Sequence, residues 1–223
     1  MRDAASPAAG GGRGRFITVE GIEGAGKSTH VRQLVADLAA LGLDVAATRE
    51  PGGTAAAEAV RQLLLSDAVA DWLPISEALL HYAARRDHVE RTVEPALAAG
   101  RWVVSDRFAD STMAYQGYGQ HLGPDVVARL HTLILGEFQP DLTLILDLDV
   151  DAGLDRVRRR SPLCDRYERM DRDFHERVRA GFLEIAEHNP GRCRVINAAD
   201  PPEVVTAAVR RAVRGRLHLD LPG

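Results

Sequence analysis

One octapeptide, Gly21 to Ser28 (GIEGAGKS), constrains this chain more than any other segment. It follows a short apolar run, RFITVE at 15–20. It precedes THVRQLVADLAALG, whose apolar residues recur at spacings of three and four until Gly42 stops them. The local reading is strand, glycine-rich turn, helix. In that context the full match to G-x-x-x-x-G-K-[ST] marks a phosphate-binding loop. Its glycines let the backbone curl so that successive N–H groups and the helix dipole face an anion. Gly21, Gly24, Ala25, Gly26, Lys27, Ser28 and Thr29 are therefore expected to cradle the phosphates of a nucleotide, with the Lys27 ammonium on the β/γ-phosphates and the Ser28 hydroxyl on Mg²⁺. Of 28 basic residues, Lys27 alone is a lysine. A chain that uses arginine everywhere else keeps a compact ammonium where a point contact to phosphate is needed.

The same alternation continues along the chain. DVAATR (44–49) reads as a strand ended by PGG. A helix is expected from Thr54 to Leu65, and a longer one from a Ser76 cap to about residue 99, kinked at Pro95. RWVVSD (101–106) and LTLILDL (142–148) are near-continuous apolar runs suited to strands buried on both faces of a parallel sheet, and RCRVIN (192–197) is a fifth. Helical patterns at 108–116, 124–137, 151–160, 171–188 and 201–216 lie between and after them. Strands alternating with helices imply right-handed βαβ units and a doubly wound α/β fold: a five-stranded parallel sheet with helices on both faces. Residues 1–14, rich in Gly and Ala without periodicity, read as a disordered tail before a single domain at 15–218.

Composition excludes other classes. At 223 residues, 45% hydrophobic and 27% charged, the chain suits one large globular domain. Its net charge of −4 argues against a broad basic surface for nucleic acid. There is no run of 18 apolar residues and no secretory leader, so a cytoplasmic protein without a membrane partner is expected. The two cysteines, Cys164 and Cys193, read as inert thiols.

Further candidates sit at strand ends, where open α/β sheets bind ligands. Asp106 and Arg107 close RWVVSD; Asp106 can hold Mg²⁺ and Arg107 can clamp a second phosphate, or the pair can be a helix cap and a solvated cation. Arg49 ends DVAATR in the same way. From Arg156 to Arg172 there are seven arginines in 17 positions. This is either a solvated helix face or a lid of cations, at about 156–172, that closes over a transferred phosphoryl group.

Taken together, GIEGAGKS, TREPGGT, LLHYAARRDH, SDRFADSTMAYQGYG and LDLDVDAGLDRVRRR resemble the thymidylate kinases, P-loop nucleoside monophosphate kinases, over roughly residues 15–210. The resemblance implies ATP-dependent phosphorylation of dTMP to dTDP and a homodimer paired through helices beside the sheet. It places Arg49 and Arg107 at the dTMP phosphate, Ser111 in the dTMP site, Arg85 on the thymine edge and Glu23 on a sugar hydroxyl. Tyr115 would lie against the deoxyribose and Gln116 near the base. No cation stands between Ile22 and Ala25, so a catalytic arginine must come from the lid, with Arg156, Arg160 and Arg166 as candidates. His81 stands where the family commonly has a stacking aromatic; with an ordinary histidine pKa it would make dTMP binding weaken as pH falls from 8 to 6. The competing functions are a kinase for another nucleoside monophosphate or a bare deoxynucleoside, and a nucleotide switch that binds a protein partner. No N-K-x-D guanine-reading run supports the switch.

Overall fold

The computed structural model describes residues 12–66, 71–160 and 166–221; the Arg160 side chain is not described. Five strands form one parallel sheet: β1 (Phe16–Glu20), β2 (Val45–Arg49), β3 (Trp102–Asp106), β4 (Leu142–Asp147) and β5 (Cys193–Asn197), in the order β2-β3-β1-β4-β5. The expected doubly wound sheet is present. All five residues of β1 are buried, and so are the first five of β4, as the unbroken apolar runs required; the edge strands β2 and β5 are only partly buried.

Nine α-helices occur among the described residues: α1 (Lys27–Ala40), α2 (Ala55–Leu65), α3 (Pro74–His88), α4 (Glu94–Ala98), α5 (Ala109–Thr112), α6 (Pro124–Leu135), α7 (Val150–Arg160), α8 (Arg172–His188) and α9 (Pro202–Leu217). The chain leaves β1 for the edge, returns through β2 and β3, then crosses to β4 and β5. The order therefore reverses beside β1, and the carboxyl ends of β1 and β3 open a crevice there. Parallel register pairs Arg49 with Asp106 and Val19, one residue before the end of β1, with Asp106, so the carboxyl ends of three strands lie side by side at that crevice.

Three local expectations need correction. The long helix begins at Pro74 after Leu73, not at a Ser76 cap, because proline at the first helical position has no N–H to satisfy and its φ is already helical. The break before Pro95 is a π-helical turn, Val89–Val93, in which the Glu94 N–H reaches back five residues to Val89; Pro95 has no N–H to offer the Arg91 carbonyl. The helix expected at 108–116 is α5 followed by a second π-helical segment, Met113–Gly119.

Of the tail, residues 1–11 lie outside the described residues. Gly14 belongs to the fold: it is buried, its N–H donates to the Leu97 carbonyl at 2.8 Å, and a Cβ there would stand 2.0 Å from the Arg101 carbonyl oxygen. Cys193 is buried with its thiol pushed up to about 12, first by burial, which makes it inert; Cys164 lies outside the described residues.

Candidate active site

The loop between β1 and α1 ends at Gly26, whose φ of 91° only glycine adopts readily, and the first turn of α1 caps back on the Gly26 carbonyl. Gly24, Gly26, Lys27, Ser28 and Thr29 line a cavity of about 480 Å³ at the carboxyl edge of the sheet. The loop lies directly on α7: a Cβ on Gly24 would sit 2.2 Å from the Gly153 carbonyl oxygen, and one on Gly153 would sit 2.6 Å from the Glu23 carbonyl oxygen. The second glycine of this pair carried no recognisable sequence signal.

Two loop residues expected among the phosphate contacts do not line the cavity. Ala25 is buried in the core and its N–H is turned to the Ile22 carbonyl, while the Gly21 carbonyl accepts from both Lys27 and Arg107. The Lys27 ammonium is folded onto the carbonyls of Gly21 (3.0 Å) and Ile22 (2.7 Å), and its pKa is pushed down to about 8 by burial and by Arg107. The Ser28 hydroxyl donates to Asp106 Oδ2 at 2.5 Å, so the two residues assigned to a metal are adjacent.

Arg107 is the hub of the crevice. Its φ of 70° is rare for a residue with a side chain, and its guanidinium donates to the Gly21 carbonyl, Ser111 Oγ, Glu23 Oε1 and the Tyr115 hydroxyl at 2.9–3.0 Å. Tyr115 in turn donates to Glu23 Oε1 at 2.5 Å. Burial opposes the charge on Glu23, but His175, Arg107, Lys27 and Tyr115 overcome it and hold the carboxyl well below the usual range. Glu23 Oε2 has no hydrogen-bond partner; His175 Nδ1 stands 3.5 Å away. Fully buried beside this cluster is Glu20, which no sequence motif marks: it accepts from the Phe108 N–H and the Ser111 hydroxyl and so shapes the turn after β3.

At the far end, Arg85 is 2% exposed. Its Nε donates to Glu50 Oε2 at 2.7 Å and its Nη2 to the Phe108 carbonyl and Thr112, which leaves Nη1 buried and without a hydrogen-bond partner. Glu50 is anchored on its other oxygen by His88 Nδ1, and His88 Nε2 meets the Thr48 hydroxyl. Gln116, on the π-helical segment, donates its amide N–H to Glu77 at 2.6 Å and is left with Oε1 buried and unpaired. His81 Nε2 lies 3.0 Å from the Tyr167 hydroxyl. Arg85, Gln116, His81 and Tyr167 all line the cavity. Glu50, Glu77, His175 and Tyr167 went unrecognised in sequence; the only signal for Glu77 was its place one helical turn before His81.

The arginines divide. Arg49 lines the cavity and is paired with Glu58 at 3.0 Å. Arg156 also lines it, donating to the Gly24 and Ala198 carbonyls. Arg160 ends α7, and its side chain lies outside the described residues, as does the lid segment 161–165. Arg166 does not fit the expected role of a mobile phosphate ligand: it is buried in an ion pair with Glu77 and is not part of the cavity lining, because a fully buried carboxylate requires a counter-charge.

A phosphate loop, an acid–hydroxyl pair beside it and an arginine hub across the crevice define a P-loop phosphotransferase with room for a donor and an acceptor. The family model described as thymidylate kinase matches residues 19–209. The chain belongs to the thymidylate kinase family. It is 51% identical over 207 residues to the thymidylate kinase of Caulobacter vibrioides, covering 93% of this chain and 99% of that one. It is 50% identical to that of Rhizorhabdus wittichii, covering 90% and 97%. The crystal structure of thymidylate kinase from Ehrlichia chaffeensis superposes with a TM-score of 0.73 at 36% identity, covering 90% of this chain and 99% of that one.

Proposed function

We propose that the protein transfers the γ-phosphoryl group of ATP to the 5′-phosphate of dTMP, giving ADP and dTDP. The observation that carries the base assignment is a pair of buried, unpaired groups on two residues that line the cavity: a donor, Arg85 Nη1, and an acceptor, Gln116 Oε1. Thymine offers a carbonyl acceptor at C4 and an N–H donor at N3, which complement them; cytosine offers the reverse pattern and would leave both groups unsatisfied. The Gln116 amide is not free to reverse, since its N–H₂ faces a carboxylate that can only accept.

The remaining residues support the same reaction. Arg107 and Arg49 suit the acceptor phosphate, a contact that a bare nucleoside has no use for. Glu23 Oε2, buried, ionised and without a hydrogen-bond partner, suits a sugar hydroxyl, and Tyr115, held between Arg107 and Glu23, resists shifting for a ribose 2′-hydroxyl. An acceptor-phosphate oxygen attacks the γ-phosphorus as its bond to the ADP oxygen breaks, without a covalent enzyme intermediate. The protein contributes position and charge: Lys27 and the loop N–H groups on the donor phosphates, Arg107 on the acceptor, and Arg156 within reach of the loop.

The hydroxyl of Ser28 and the carboxylate of Asp106 are hard oxygen donors that fit Mg²⁺. Among the described residues no group of three or more His, Cys, Asp or Glu side chains could cage a metal, which suits a cation that draws its other ligands from phosphate and water. When bound, Mg²⁺ supplies neutralisation of phosphate charge. We read the protein as a homodimer joined through the face of α3 and α6, where Leu73, Leu79 and Leu133 are exposed, Leu133 by 81%. A cytoplasmic location follows from the ATP it consumes; no helix of the described residues is long and apolar enough to cross a membrane.

The test is ADP release with a panel of nucleoside monophosphates and thymidine. The expected order is dTMP, then dUMP, then the ribose form of TMP, with dCMP and thymidine inert. Phosphorylation of thymidine as fast as dTMP would overturn the roles given to Arg49 and Arg107.

A further inference from the structure

Glu77 is fully buried on α3 and does not line the cavity, yet hydrogen bonds from two distant segments, 116–120 and 166–167, converge on it. Its Oε1 accepts from Gln116 Nε2 at 2.6 Å, Gln120 Nε2 at 3.0 Å and the Tyr167 hydroxyl at 2.7 Å, and its Oε2 is paired with Arg166. A carboxylate met only by donors has one chemical consequence: it dictates the direction of every bond it receives. The Gln116 amide must present nitrogen to Glu77, so its oxygen is the atom left over. The Tyr167 proton is given to Glu77, so the Tyr167 oxygen meets His81 as an acceptor, and the proton on that contact belongs to His81 Nε2. A neutral ring protonated at Nε2 carries its lone pair on Nδ1.

We propose that Glu77 is a positioning residue that sets base selectivity without touching the base, by fixing the Gln116 amide so that its oxygen is the atom left for the ligand; the same carboxylate, through Tyr167, holds His81 in the Nε2–H tautomer, which reports on that arrangement. The proposal rests on the reading above, in which Gln116 and Arg85 recognise the base edge. An uncharged glutamine at position 77 could donate as well as accept, so the Gln116 amide could turn over and offer N–H₂ instead. The pocket would then present a donor where cytosine has its N3 acceptor.

The experiment compares kcat/KM for dTMP and for dCMP in the unmodified enzyme and in Glu77→Gln, Glu77→Asp and Gln116→Leu. Glu77→Gln should lower the dTMP:dCMP ratio by about tenfold or more, chiefly through a higher KM for dTMP with kcat changed less. Glu77→Asp keeps an acceptor-only group and should hold the ratio to within about threefold of the unmodified enzyme, which a merely structural role for the side chain would not produce. If Gln116→Leu collapses the ratio while a folded Glu77→Gln leaves it unchanged, Glu77 has no part in selectivity and the reading of the base edge stands. If Gln116→Leu leaves the ratio unchanged, that reading fails and takes the proposal with it. Should Glu77→Gln not fold, ¹⁵N chemical shifts of the His81 ring in the unmodified protein at pH 7 decide: the Nε2–H form is expected, and a ring protonated at Nδ1 alone would overturn the proposal.

Discussion

Glu50 Oε2 lies 2.7 Å from Arg85 Nε, and both side chains are only 2% exposed. The carboxylate is what allows a guanidinium to remain charged against Tyr82 and Phe108 in the core, with one nitrogen spare for a ligand. Removing one partner of such a pair leaves an uncompensated buried charge. Glu50→Ala should therefore destabilise the protein by about 3–5 kcal/mol, read as a lower urea midpoint at unchanged m-value. A loss under 1 kcal/mol would mean that Arg85 does not depend on Glu50.

His81 should not make dTMP binding pH-dependent. Burial, with Arg85, Arg107 and Arg61 nearby, pushes its pKa down to about 3, so the ring stays neutral from pH 6 to 8, contrary to what an ordinary histidine would do. The KM for dTMP, corrected for ionisation of the substrate phosphate, should be flat over that range, and His81→Phe should have the same profile. Phenylalanine gains an apolar ring but forfeits the bond to Tyr167, worth about 0.5–1.5 kcal/mol, so its KM should change little. A His81-dependent rise in KM between pH 8 and 6 would contradict the neutral ring.

Lys27→Ala should lower kcat by about 10³-fold with the fold intact, and Lys27→Arg should also fail, because a planar guanidinium cannot occupy the ammonium's place in the loop. With its pKa at about 8, Lys27 loses its charge as pH rises past that value in the free enzyme, so ADP affinity should weaken above pH 8. The same depression costs stability below pH 8, where the folded state must carry the charge, and that cost is relieved as pH rises from about 8 towards 10.5. Isothermal titration across pH 7 to 9 checks the binding; affinity unchanged over that span would rule out a depressed Lys27.

Glu20 titrates in the opposite sense. Burial, then Asp110, raises its pKa from 4.5 to about 8, so the folded state keeps a proton that the unfolded chain releases. Stability should fall as pH rises from about 4.5 to 8, and Glu20→Gln should flatten that slope. Urea denaturation at intervals from pH 5 to 8.5 tests this; equal slopes in the two proteins would refute it.

Two arginines of one sequence run should behave differently. Arg166→Ala strands the Glu77 carboxylate and should cost about 3–5 kcal/mol of stability. Arg156→Ala should leave stability nearly unchanged and lower kcat more than it weakens ADP binding, as expected for a cation that acts mainly in the transition state. If both variants lose only stability, a lid cation must be sought elsewhere.

The five strands, the phosphate loop and the places of Asp106, Arg107 and Arg49 at strand ends were legible in sequence because each depends on a short-range pattern: apolar runs, helical spacing, glycines at fixed offsets. The resemblance of five motifs then pointed to the acceptor. Which groups are spare for that acceptor was decided only by the tertiary structure. Gln116 lies 39 residues from Glu77, Tyr167 90 residues from Glu77, and Arg85 35 residues from Glu50. Arg156 and Arg166 looked alike within one charged run, yet one lines the cavity and the other neutralises a buried acid. His81 looked like an ordinary histidine, yet burial keeps its ring neutral through pH 6, where an ordinary one would be largely charged. Periodicity is written along the chain, whereas desolvation and the direction of a hydrogen bond depend on whichever distant groups close around a side chain, and those are known only once the chain has folded.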